Sequence, residues 1–103
     1  MILRSGDGDP VSDPDRHVIE LALTELVPGS AVVLVEGDTY ARATANAADG
    51  FDLEFRDGSP DRHYRVDYSS SLPTAVNVFR SLLEGDNFWR TDAEWHRVRG
   101  VEE

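Results

Sequence analysis

Residues 30–47 read SAVVLVEGDTYARATANA. An aliphatic run is followed by Gly37-Asp38 and then by alanines alternating with larger polar side chains, the pattern of two strands joined by a two-residue hairpin. Such a loop sets the register: Val35 faces Tyr40, Leu34 faces Ala41, Val33 faces Arg42 and Val32 faces Ala43. Directly opposed residues share a face, so Val32, Leu34, Ala41, Ala43, Ala45 and Ala47 turn to one side of the sheet. Val33, Val35, Tyr40, Arg42, Thr44 and Asn46 turn to the other.

The following strand, FDLEFR at 51–56, alternates Phe51, Leu53 and Phe55 with Asp52, Glu54 and Arg56. Only an odd loop brings its aromatics to the alanine side. A three-residue loop Ala48-Asp49-Gly50, with Gly50 in the left-handed region, satisfies this and predicts Ala47 opposite Phe51 and Ala45 opposite Leu53. An even loop, Gly58-Ser59-Pro60-Asp61, then leads into RHYRVDY at 62–68, setting Tyr64, Val66 and Tyr68 opposite Phe55, Leu53 and Phe51. Loop parity thus gathers the apolar side chains of four strands on one face, to be covered by helices.

Two helices fit that need. Asp13 as N-cap and Pro14 at the first position open an amphipathic pattern at 18, 19, 22, 23, 26 and 27, predicting a helix over 14–27 stopped by Pro28-Gly29. Ser71 caps a second, whose stripe is Leu72, Ala75, Val76, Phe79, Leu82 and Leu83 and whose end lies near Gly85. Trp89 falls in a connection, and 95–99 predict a short fifth strand. The fold class is α+β: a mainly antiparallel sheet of four to five strands in the order αββββαβ, with two helices packed on one face. Residues 1–12, MILRSGDGDPVS, lack clear periodicity and read as a flexible acidic tail before a single domain over 13–103.

The tetrapeptide Pro-Asp-Arg-His occurs twice, at 14–17 and 60–63. The first copy is helix-start chemistry with His17 exposed beside Glu20 and Thr24. The second spans a loop and the start of a strand. The two copies serve different structural parts, so the repeat is no functional motif.

Twenty carboxylates stand against ten basic residues, all arginine, for a net charge of −10; cysteine is absent and there are three histidines. The negative field repels nucleic acid and anionic membranes and attracts basic proteins. Lacking cysteine, the chain has no thiol nucleophile, thiolate metal site or disulfide. The longest aliphatic run, Ala31 to Val35, is far short of the ~18 residues needed to cross a bilayer, and no segment reads as a signal peptide; the expected location is cytoplasmic. DGDPVSD at 7–13 imitates a calcium loop, but Val11 and Ser12 fall where an oxygen donor and a glycine are required.

The face away from the helices is the candidate binding face: Val33, Val35, Tyr40, Arg42, Asp52, Glu54, Arg56, His63, Arg65 and Asp67. On it Glu54 lies across from Arg65 and is expected to pair with it, Asp52 opposes Asp67, and Arg56 opposes His63. Asp52 and Asp67, joined by Asn46, have the chemistry of a cation site or carboxylate pair, but nothing walls them into a cleft. His63 among carboxylates and arginines suits a general base or an anion site, but no serine on this face offers a nucleophile. We therefore expect no catalytic residue, no metal and no cofactor. Val33 and Val35 place aliphatic surface beside Tyr40, to be covered by a partner protein, a second copy as a homodimer, the amino-terminal tail or the last strand. The aromatic and arginine alternation of FWRTDAEWHRVRG, at 88–100, resembles a stacking platform for single strands, but the net charge opposes it. It reads better as a core tryptophan rimmed by arginines.

LEFRDGSPDRHYR at 53–65 and AEWHRV at 93–98, with the αββββαβ layout, resemble small α+β proteins of high-GC actinobacteria, some grouped with the immunity proteins of polymorphic toxin systems. The resemblance spans roughly residues 40–98 and carries over no functional residue. It implies an acidic, non-enzymatic inhibitor that occupies a basic toxin. The alternatives are a small anion-binding or hydrolytic domain using His63, Arg42, Arg56 and Arg65, and a homodimeric structural domain.

Overall fold

The computed structural model describes residues 1–5, 9–47, 50–66, 69–86 and 88–97. They form one antiparallel sheet of seven strands backed by helices: β1 (Ile2–Ser5), β2 (Val11–Ser12), α1 (Arg16–Thr24), β3 (Ala31–Glu36), β4 (Thr39–Ala45), β5 (Phe51–Arg56), a 3₁₀ turn (Pro60–Arg62), β6 (His63–Val66), α2 (Leu72–Glu84), α3 (Trp89–Asp92) and β7 (Trp95–Arg97). Spatially the strands run β2-β1-β3-β4-β5-β6-β7. The α+β class and antiparallel sheet are as expected, whereas seven strands and three α-helices replace the predicted four to five and two. Among the described residues no helix is long and apolar enough to cross a membrane.

The β3–β4 hairpin has the predicted register, Val35 against Tyr40 through Val32 against Ala43. Gly37 takes φ 60° at the first turn position, which a two-residue hairpin of right-handed twist demands. On the helix side, Val32, Leu34, Ala41, Ala43, Leu53 and Phe55 are buried with Ile19 and Leu23 of α1 and Ala75, Val78 and Phe79 of α2.

Between β4 and β5 the chain turns one residue earlier than expected. Asn46 and Gly50 close the loop: the Asn46 N–H donates to the Gly50 carbonyl at 3.0 Å, and the Gly50 N–H donates to Asn46 Oδ1 at 3.1 Å. The register moves by two, so Ala45 opposes Phe51 and Ala43 opposes Leu53, which preserves the face of every side chain. It also sets Arg42 opposite Glu54, an attractive pair, where the predicted loop would have opposed it to Arg56.

Gly50 is not in the left-handed region; it is small because another strand end comes close. A Cβ there would lie 1.9 Å from Ser69 Oγ and 2.9 Å from the Ser70 carbonyl oxygen. Ser70 holds Phe51 through two backbone bonds of 2.8 Å, so the carbonyl cannot retreat freely. Phe51 bridges to Ser70; its predicted partner, Tyr68, lies outside the described residues. Gly50→Ala should destabilise the chain by about 1–3 kcal/mol, as overpacking does, measured by urea denaturation.

The segment expected as a tail contributes two strands. Ile2–Ser5 pairs along β3, with Leu3 opposite Leu34 and only 2 % exposed, and Val11–Ser12 pairs with β1. A short alternation, Leu3 and Ser5 inward against Ile2 and Arg4 outward, is too brief to stand out in sequence, and it gains stability only from the unpaired edge of β3. The next helix also starts later than predicted. Asp13 sits at φ 50° while its N–H donates to the Met1 carbonyl, so the cap is Asp15, whose carboxylate accepts the Val18 N–H at 2.9 Å. Helix α1 stops at Thr24 because Val27-Pro28-Gly29-Ser30 forms a turn, with Gly29 at φ 91° and the Ser30 N–H on the Val27 carbonyl.

Helix α2 begins and ends where the sequence places it, with Ser71 capping Thr74 and Gly85 left-handed at φ 77°. Ser81, outside the predicted apolar stripe, is fully buried and organises the next turn: its hydroxyl accepts the Trp89 N–H at 3.0 Å and donates to the Asp86 carboxylate. That bond, helped by the Phe88 N–H, holds the Asp86 carboxyl below its ordinary value. A depressed folded value adds stability above the ordinary carboxylate range that disappears as pH falls through the folded value. The stability gap between the natural chain and Asp86→Asn should therefore be largest near neutrality and should close as the pH falls below the ordinary carboxylate range, followed by denaturant midpoints.

Candidate functional site

Register alone builds the site, because directly opposed residues stack into lateral rows across the open face. One row runs Ile2, Val35, Tyr40, Arg56, His63; the next runs Arg4, Val33, Arg42, Glu54, Arg65, His96. Asp52, opposite Thr44, lies one level further along. All predicted face residues except Asp67 are therefore on this face; Asp67 lies outside the described residues.

Glu54 is the hub of the cluster. One carboxylate oxygen is 3.6 Å from Arg42 NH1 and the other 3.4 Å from His63 Nε2, while His63 Nδ1 is 3.4 Å from the Tyr40 hydroxyl. Glu54 opposes Arg65 as expected, and its carboxylate pairs with Arg42 and His63. The Arg56 guanidinium lies 5.4 Å from the centre of the Tyr40 ring, a cation–π arrangement that separates it from the neighbouring His63 position. Burial pushes the Tyr40 phenol above its usual value; Glu54 adds to this, while Arg56 and Arg42 pull the other way.

His63 departs from the solvated face expected of it. It is 7 % exposed, covered by the Tyr40 ring at 5.8 Å and engaged at both nitrogens. A histidine so enclosed organises its neighbours more readily than it meets a substrate. The Asp52 cluster is also different: Asn46 Nδ2 donates to Asp52 at 3.3 Å and to Ser69 Oγ at 3.0 Å, so Asn46 serves as a loop clamp. Among the described residues no three His, Asp or Glu side chains gather as a metal site. A groove of about 220 Å³ opens between the end of α1 and the start of α2, lined by Leu23, Leu26, Phe51 and Leu72, and does not border the His63 cluster.

The aliphatic part of the face is larger than the sequence suggested. Val33 and Val35 are half-buried, and β1 extends the sheet beside them instead of covering them, adding Ile2 at 37 % exposure and the exposed Arg4. Ile2, Arg4 and His96 were missed: the first two because their segment read as a tail, the third because its partner strand could not be assigned. The carboxy-terminal tryptophans belong to the core side. Trp89 is buried and stacked on Phe55, with Arg90 at its rim 4.9 Å from the ring and paired to Asp57 at 2.9 Å. No protein-family model, curated protein or solved structure matches the chain.

Proposed function

We propose that this chain is a non-enzymatic protein-binding module that docks a partner protein on the open face of its sheet. The observation that carries this reading is a continuous band in which Ile2, Val33, Val35 and Tyr40 lie beside Arg42, Arg56 and Arg65. Apolar area bordered by tyrosine and arginine is the composition enriched at interface centres, where few residues carry most of the binding energy. The polar cluster supports it: Glu54, His63 and Tyr40 hold one another, so the surface is pre-organised and loses little side-chain freedom on binding. An immunity-type inhibitor of a toxin is the form that the family resemblance implies.

A second reading is a small anion-binding or hydrolytic domain, favoured by the chain of contacts from Tyr40 through His63 to Glu54. A third is a homodimer closed over the same aliphatic band. One experiment separates them. A photo-cross-linking residue at Val35 in the native host should yield an adduct with one defined protein, whereas the same residue at Leu21, exposed on α1, should not. An adduct only with the chain itself favours the homodimer, and no adduct removes the docking reading.

A further inference from the structure

We infer that Arg56 anchors one side-chain carboxylate of the docked partner, while an apolar side chain of the same partner seats on Val35. The inference rests on the docking reading and names the chemistry of its partner at a single point. Among the described residues Arg56 is the only half-buried arginine without a carboxylate; Arg80, the other half-buried one, pairs with Glu84. No ion pair or hydrogen bond engages the Arg56 guanidinium, and its Nε–H is buried with no acceptor. What holds it is the Tyr40 ring, whose centre lies 5.4 Å away.

A cation taken partly out of water without a counter-charge is unfavourable, and here it occurs in a chain where carboxylates outnumber basic groups twenty to ten. The carboxylates nearest along the strand are already engaged. Glu54, two positions back on the same face, is shared by Arg42 and His63, and Asp57, the next residue, is bound by Arg90 at 2.9 Å. The guanidinium is therefore left for a group from outside the chain, and the Tyr40 ring fixes it so that pairing costs little further ordering. One cation calls for one negative charge. The planar fork of an arginine matches the two oxygens of a carboxylate, whereas a phosphate group brings a charge of about −1.5 to −2, the excess of which would face Glu54. Nucleic acid meets the added repulsion of a net charge of −10. Along the row Tyr40 separates Arg56 from the half-buried Val35, with Ile2 beyond it. At about 4.8 Å per strand, the carboxylate and the apolar contact of the partner lie roughly 10 Å apart.

The test extends the Val35 photo-cross-link in the native host to variants of Arg56, each checked for folding by circular dichroism. Arg56→Met, which keeps the length and loses the charge, should lower the adduct yield about tenfold or more, and Arg56→Lys, which keeps the charge and loses the fork, should lower it less. Arg56→Glu should abolish the adduct. Mass spectrometry of the adduct locates the contact on the partner, and one aspartate- or glutamate-to-arginine change beside that contact should restore the yield with Arg56→Glu. Full yield in Arg56→Met, equal losses in Arg56→Met and Arg56→Lys, or no restoring change in the partner would each overturn the anchor. The Met and Lys pair decides the matter if Arg56→Glu fails to fold. An adduct of unchanged yield in both removes the anchor alone, whereas absence of any Val35 adduct in the natural chain removes docking and the anchor with it.

Discussion

Phe55→Ala should cost about 3–5 kcal/mol, the range for removing a buried aromatic ring that its surroundings cannot replace. Phe55 is 2 % exposed, one residue from the end of β5; the Trp89 ring stacks on it at 3.8 Å and 12°, and Trp95 meets it edge-on at 6.2 Å. The void would be slow to refill. Opposite Phe55 is Ala41, too short to reach across, and Trp89 is tied down by the bond from its N–H to Ser81 and by Trp95, whose indole N–H donates to the Trp89 carbonyl at 2.7 Å. Domains of this size have about 5–15 kcal/mol in all, so the variant should be marginal at room temperature. Urea denaturation followed by tryptophan fluorescence measures it directly; a loss below about 1.5 kcal/mol would show that the two indoles are not packed as described.

The second large effect lies at Leu3. Leu3→Ala should cost about 2–5 kcal/mol, because the side chain is 2 % exposed against Leu34 and belongs to the same core as Ile19 and Leu23. Were residues 1–12 only a solvated extension, the change would fall within about 0.5 kcal/mol, as surface substitutions do. The same denaturation curve separates the outcomes, and Val11→Ala, at an exposed edge position, supplies the mild comparison.

Much of the candidate face was legible because alternation is local. Each of Val33, Val35, Tyr40, Arg42, Glu54, Arg56, His63 and Arg65 is assigned to a side once its strand and the parity of the adjoining loop are known. The β4–β5 loop shows why this survives error: its predicted position was off by one residue, yet the loop is three residues long in either position, and the face of every residue was kept. What parity does not carry is pairing along the strand. Which carboxylate meets which arginine depended on Asn46 clamping the loop at Gly50 and on Ser69 and Ser70, about twenty residues further along, crowding Gly50.

The sequence by itself determined the antiparallel core hairpins, the apolar face of the sheet and both ends of α2, since strand periodicity, turn glycines and helix caps act within a few residues of themselves. Only the tertiary structure decided that the first residues complete the sheet, that His63 is enclosed between Tyr40 and Glu54, and that Ser81 joins α2 to Trp89. Each of these rests on groups distant in the chain, and the energy that selects them arises only when burial and hydrogen bonding are satisfied together. The setting of Arg56 on the open face is of the same kind: Tyr40, Arg56 and His63 look unrelated in sequence and become neighbours only through strand pairing.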